Sequence, residues 1–361
     1  MNHAWMFVRS TLVILGILLV AIALNDLFQS VVVPRAVGRR FRPSYYQVRA
    51  LWSLWPRFAP DVRSGNVYPR ENFLAVFAPL NLVLNLFTWS LLVLLGYGTI
   101  FFALRDQMHP PVHTLGEALY FAGTSFFTIG FGDYFGTSGL TRMFSLAAGA
   151  CGFGIISITT AYLFAIFGAF QSREQYVVSI AARAGAPPSG VGLLSIAADA
   201  SIVKDLPALM RSAEMWCASV METHLAYPIL AYFRSSHDEQ SWVGTLGTLL
   251  DTAVLLITTV KADVGEARIL YNIARHATRD LGVYFGMLDD EAPNDPGITR
   301  EQFDAACRQL EAAGFELHDP DAGWENFARL RGTYAYYLNG LAVYFHIPPL
   351  RWIGEKTALP T

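Results

Sequence analysis

Charge is what this chain has least of. Asp, Glu, Lys and Arg make up 15% of its 361 residues, and hydrophobic residues make up 53%. Soluble domains carry about 25% charged residues, so an ordinary water-exposed surface cannot cover the whole molecule. The net charge of −3 provides no basic face and argues against a nucleic-acid partner. Cysteine is also scarce. Cys151, Cys217 and Cys307 lie far apart and match no metal or redox spacing. An odd, sparse set excludes a disulfide framework and suits a reducing cytosolic side. Alternating strand patterns are few, and no nucleophile–base arrangement stands out. Nothing here points to an enzyme.

What the chain does have is long apolar runs. The first covers residues 4–33, with its core at 11–24; the second covers 73–104 and the third 143–170, and the last two contain no charged residue. Each exceeds the roughly 20 residues that cross a bilayer as helix. Between the first and second lie Arg35, Arg39, Arg40, Arg42, Arg49, Arg57, Arg63 and Arg70, against only Asp61 and Glu71. The positive-inside rule makes this stretch cytoplasmic. The N-terminus is then outside, the link between runs two and three faces outward, and everything after run three is cytoplasmic. Residues 1–23, with Arg9 and the ending Ala21-Ile22-Ala23, also fit a signal peptide. Cleavage there would reverse this orientation, and the run is expected to remain as a membrane helix. Asn25 and Asp26 sit in its inner third. An intramembrane carboxylate is a functional candidate, but Asp26 is expected to pair with the nearby arginines. Tyr45, Tyr46, Trp52 and Trp55, interleaved with Arg42, Arg49 and Arg57, suggest either a helix on the cytoplasmic lipid surface, where an anionic lipid could bind, or a connecting helix packed under the membrane module.

The link between runs two and three has its own pattern. Pro110 and Pro111 break any helix, and Thr114-Leu115-Gly116-Glu117 reads as a capping box. A short helix over 115–127 has room for about 20 Å, roughly half the membrane depth, and its carboxyl end would favour a cation. The chain continues as Thr128-Ile129-Gly130-Phe131-Gly132-Asp133. Non-helical backbone at this depth is tolerated only along a water- or ion-filled path. For successive carbonyls to face one axis, ordinary and left-handed residues must alternate, which glycine does without steric cost, as at Gly130 and Gly132.

This sextet resembles the selectivity filter of potassium channels: Thr, a β-branched residue, Gly, Tyr or Phe, Gly, Asp. The resemblance covers 73–171 and is strongest at 114–133. It implies K+ held by the carbonyls of Thr128, Ile129, Gly130 and Phe131, with Gly132 completing the filter. Asp133 would lie at the outer mouth. One filter per chain implies a homotetramer in the plasma or inner membrane. Phe131 stands where Tyr is commoner, and Thr124 stands where several relatives carry a buried Glu. Gly149, Gly152 and Gly154 in run three are candidates for a hinge or for close packing. Thr159, Thr160 and Phe164 or Phe167 are candidates for an inner vestibule.

After Ser172 charge rises. Helices are expected near 191–200, 204–234, 240–261, 262–288, 299–313 and 322–345, clearest where Thr299-Arg300-Glu301-Gln302 forms a second capping box. The segment 246–260 is apolar but short and contains Asp251, which suits a buried core helix. Glu222, His224, His237, Asp238 and Glu239 form a titratable cluster without a known ligand spacing, read as a solvated helix end. No regulatory module known from potassium channels is resembled, and the cytoplasmic ligand stays open. The whole is expected to be an all-α membrane protein. It would comprise an outer helix (1–34), a linker helix (35–72), a pore module (73–171, filter 128–133) and a helical cytoplasmic domain (172–361). The function expected is passive K+ conduction, without an organic cofactor. A nonselective cation channel and a non-conducting membrane receptor or scaffold are the alternatives.

Overall fold

The computed structural model describes residues 3–33, 42–60, 68–185, 187–237, 240–288 and 293–354. Arg35, Arg39, Arg40, Asp61, Arg63, Asp238 and Glu239 lie outside these. The chain forms two units, one of Met1–Arg57 with Val76–Phe167 and one of Phe58–Ala75 with Gly168–Thr361.

The first unit is built on apolar helices. Helix α1 (His3–Leu27) runs into a π-helical turn at Phe28–Val32, α2 is Pro43–Leu54, and α4 is Phe77–Ala103. The short α5 (Leu115–Phe126) follows, and α6 (Gly139–Ala184) begins here and ends in the second unit. Three stretches, Trp5–Val32, Tyr68–Ala103 and Gly139–Ala184, are long and apolar enough to cross a membrane. At 1.5 Å per residue α6 is about 70 Å long, roughly twice what a hydrocarbon core requires.

Helices α1 and α4 cross where Gly16 meets Gly96. A side chain on either would run into the other's backbone carbonyl, so the small residues set the approach. Asp26 is fully buried nearby. The expected pairing with arginine is marginal, because Arg42 Nε lies 4.0 Å away. The carboxylate instead accepts from the Ser44 amide (3.0 Å), the Ser44 hydroxyl (2.8 Å) and Trp89 Nε1 (2.8 Å). Asp26 therefore caps α2, whose own N-cap residue Arg42 makes no side-chain cap. An acid at a helix N-terminus satisfies free amides and complements the dipole. Gln47 of α2 bonds Asn85 and Thr88 of α4, and Trp52 packs on Phe77 with ring centres 4.8 Å apart. One face of α2 is thus packed within the unit, while Tyr46 and Leu54 stay exposed.

The second unit contains α3 (Tyr68–Ala75), the end of α6, and helices α7 (Gly190–Asp199), α8 (Leu206–Ala226), α9 (Trp242–Thr258), α10 (Gly265–Tyr284), α11 (Arg300–Ala312), α12 (Pro320–Gly332) and α13 (Ala335–Tyr344). The capping box at Thr299 and Gln302 forms in full, and Phe303, Ala306, Cys307 and Leu310 make the buried face of α11. Gly314 ends that helix at φ +94°, a left-handed cap that glycine takes readily. The expected helix over 322–345 is broken into α12 and α13 at Thr333-Tyr334, and the one over 204–234 ends at Ala226, before a 3₁₀ turn at Pro228–Tyr232.

The centre of this unit is α9, buried along nearly its whole length. Its acid Asp251 is paired with Arg331 of α12 at 2.9 Å and accepts the Tyr334 hydroxyl at 2.6 Å. Arg331 also donates to the carbonyls of Pro296 and Trp352. Burial and the adjacent carboxylate hold the Tyr334 phenol protonated, well above its ordinary range.

Candidate functional site

The link between α4 and α6 is anchored at both ends before any special backbone begins. A two-residue antiparallel ribbon pairs β1 (Met108–His109) with β2 (Phe135–Gly136). Gln107 accepts the Thr137 amide at its carbonyl (2.9 Å) and the Ser138 hydroxyl at its side-chain oxygen (2.6 Å). The stretch from 110 to 134 is therefore a closed loop.

Within it, α5 starts as its sequence requires. The Thr114 hydroxyl accepts the Glu117 amide at 3.2 Å, and the Glu117 carboxylate accepts the His113 amide at 2.7 Å. The return bond thus reaches one residue beyond the N-cap. Amide donation from His113 and Thr114 holds the Glu117 carboxyl below its ordinary range. Phe121 and Phe126 bury themselves in the unit core.

At the other end of α5 the backbone reverses. The Ile129 and Gly130 amides both donate to the Thr124 carbonyl (2.8 and 3.3 Å), and the Thr128 amide donates to the Ser125 carbonyl (3.1 Å). The last carbonyls of the helix, which would otherwise lack partners, are consumed this way. Thr124 joins the loop through its carbonyl, and its hydroxyl turns back to Phe121. Positive φ then occurs at every second residue: Thr128 at +54°, Gly130 at +59° and Gly132 at +82°. The sequence indicated the two glycines but not Thr128. Left-handed backbone costs a β-branched residue about 1–2 kcal/mol. The Thr128 hydroxyl bond to the Phe127 carbonyl at 2.7 Å offsets part of this. Among the described residues, no hydrogen bond ends on the carbonyl oxygens of Thr128, Ile129, Gly130 or Phe131. The side chains of Ile129 and Phe131 are 53% and 67% exposed. Tyr120 lies close enough to Asp133 for the phenol and carboxylate to interact, and Tyr120 and Tyr134 meet edge to face.

Helix α6 backs this loop. A methyl group on Gly152 would collide with the Phe126 carbonyl, and one on Gly149 would lie 3.2 Å from the Ser125 carbonyl; Gly154 has open space. Gly149 and Gly152 thus admit the C-terminal end of α5, and α6 runs unbroken through all three glycines. Gly152→Ala is expected to cost about 1–3 kcal/mol of stability by overpacking, read as a lower Tm in detergent, whereas Gly154→Ala leaves Tm unchanged or raised. Thr159, a candidate vestibule residue, is instead buried toward α4, where it borders a cavity of about 230 Å³ with Pro79, Leu82 and Trp89. Thr160 and Phe164 lie on the exposed face together with Leu146 and Phe153.

In the second unit, only Glu222, His224 and His237 of the titratable cluster lie among the described residues. His224 is buried, with Nδ1 2.8 Å from the Val220 carbonyl and Nε2 3.2 Å from Arg173. Burial and the Arg173 charge hold its pKa well below the usual histidine range, so it is neutral. This corrects the reading of His224 as part of a solvated helix end. Among the described residues no group of three His, Cys, Asp or Glu side chains could hold a metal ion.

Apolar spans, a half-length helix and a loop whose carbonyls receive no hydrogen bond among the described residues mark an all-α membrane protein. Residues 89–169 match the family model described as "Ion channel", which covers most of α4, all of α5 and the loop, and the membrane part of α6. Over 237 residues the chain is 23% identical to the uncharacterized membrane protein YdjJ of Bacillus subtilis (strain 168), an alignment spanning 63% of this chain and 69% of that one. No solved structure matches.

Proposed function

We propose that this chain is one subunit of a tetrameric, potassium-selective channel. The observation that carries the reading is the row of unpaired carbonyls at Thr128, Ile129, Gly130 and Phe131, on a backbone of alternating handedness. The loop is exposed in a single chain, and once other subunits enclose it these carbonyls need partners, as buried backbone carbonyls almost always do. Alternation turns successive carbonyls to one side of the strand, and a dehydrated cation is the partner such a ladder fits. One loop cannot surround an ion, so each cage needs oxygens from several chains. The exposed Ile129 and Phe131 side chains would pack against neighbouring subunits as spacers. Helix α5 would aim the negative end of its dipole at the ion, and Asp133 would raise the cation concentration at the mouth.

The arginines before α4 favour a cytoplasmic position for that side, with the loop facing outward and the second unit inward. Potassium is cargo; the chain supplies a dry, oxygen-lined path and no chemistry.

Purified protein in liposomes should pass K+ and exclude Na+. Equal passage of both ions would establish a nonselective pore, and absence of any flux would leave a receptor or scaffold. Tyr120→Phe removes the hydroxyl that faces Asp133. Single-channel recording should show currents reduced severalfold, with selectivity retained.

A further inference from the structure

Residues 228–234 join α8 to α9, and they are held far more firmly than a connector requires. Arg173, near the C-terminal end of α6, is 3% exposed. It donates Nη1 to the Leu230 carbonyl at 3.0 Å and Nη2 to the Phe233 carbonyl at 2.8 Å. Its Nε is paired with Glu174 at 2.9 Å, and Trp216 donates to its carbonyl at 3.3 Å. In the same stretch, Arg234 Nε lies 3.3 Å from Glu71 Oε2 of α3, with both side chains mostly buried. Arg234 Nη2 donates to the His346 carbonyl at 3.0 Å. The stretch is also fixed to the helical body: Trp242 Nε1 donates to the Ala231 carbonyl at 3.2 Å, and the Tyr232 and Tyr344 hydroxyls meet at 2.9 Å.

Chain order gives these contacts their meaning. Helix α3 ends at Ala75 and α4 begins at Phe77. One short strap therefore holds both the residues that feed α4 and the end of α6, the two long helices that flank the pore loop. A guanidinium keeps its proton even when buried, and its fork fixes direction as well as distance. Pulling Arg173 from its carbonyls leaves buried donors and acceptors unpaired, so strap and helix end resist separation.

We infer that residues 228–234 are the linkage through which the C-terminal helical unit acts on α4 and α6 together, with Arg173 and Arg234 as its positioning residues. This rests on the channel reading, and it locates where a signal received by that unit enters the pore module. Coupling requires a direct measurement, since adjacency alone does not establish it.

The test uses the full chain in lipid bilayers, with Glu71→Gln, Arg173→Lys, the double variant, and the exchange Glu71→Arg with Arg234→Glu. Losing one charge-assisted bond is expected to shift the open–closed equilibrium by about fivefold or more. Unitary conductance and reversal potential stay unchanged, because neither residue belongs to the pore loop. The double variant shifts it no further than the larger single, and the charge exchange returns it toward the starting value. Hydrogen–deuterium exchange supplies a readout that needs no current: Arg173→Lys speeds exchange at 68–75, although the hydrogen bonds of Arg173 run to Glu174, His224, Leu230 and Phe233. Wild-type gating in both singles, or exchange changed only beside the substituted residue, overturns the linkage. If the unsubstituted protein carries no current, the channel reading fails by itself, and the exchange result alone decides whether the strap couples the two segments.

Discussion

Gly130→Ala is expected to abolish potassium flux while leaving the protein folded and inserted. Gly130 sits at φ +59°, and a Cβ there would meet nothing within 4 Å. The loss therefore comes from the backbone and not from a collision. An L-residue in this conformation costs about 1–2 kcal/mol, or about 4–8 kcal/mol over four copies of the loop. Relaxing that strain rotates the peptide and takes a carbonyl out of the row. Flux into liposomes should fall to the level of protein-free vesicles, with an unchanged elution profile. Gly123→Ala is the control. Gly123 lies within α5, also with open space around its Cβ, so alanine should conduct normally and stabilise the helix by up to about 1 kcal/mol.

Arg331→Met should produce the largest loss of stability in the second unit. It strands the Asp251 carboxylate, which is 1% exposed, and strips a donor from the carbonyls of Pro296 and Trp352. Breaking one side of a buried ion pair costs about 3–5 kcal/mol. The Tm of the detergent-solubilised protein should fall accordingly. Asp251→Asn combined with Arg331→Met should recover part of the loss, because the buried charge is then gone while the Tyr334 bond can remain. A double variant no more stable than the single would show that Asp251 is not what Arg331 neutralises.

The parts of this molecule that the sequence exposes are the parts governed by near neighbours. Apolar runs without charge become long helices through hydropathy alone. The caps at Thr114 and Thr299 need partners only three residues away, and the Gly130 and Gly132 conformations follow from the absence of a side chain. What stays hidden depends on partners distant along the chain. Asp26 caps a helix that begins after an intervening segment, and its third donor, Trp89, lies 63 residues on. Arg331 neutralises an acid 80 residues earlier, so Asp251 reads as an interruption of a core helix with no sign of what satisfies it. His224 looked solvated because nothing nearby in sequence announces Arg173. Thr128 is a different case. A β-branched residue gives no local sign of left-handed backbone, and only the demand that alternation continue one step before Gly130 would have marked it.

Two sets of local signals meet in the pore loop: the capped half-length helix and the glycine alternation. Their coincidence between two charge-free runs singles out the candidate site, while the helical unit after it could be read only as helices. Its proposed link to α4 and α6 rests on Arg173 and Arg234, whose contacts with Leu230, Phe233 and Glu71 cross between elements.

Reversal potential under opposing K+ and Na+ gradients, recorded from purified protein in planar bilayers, tests the potassium reading most directly. A value close to the K+ equilibrium potential is the predicted result. A value near zero in a conducting membrane would mean that the carbonyls of Thr128–Phe131 do not form a potassium-selective filter.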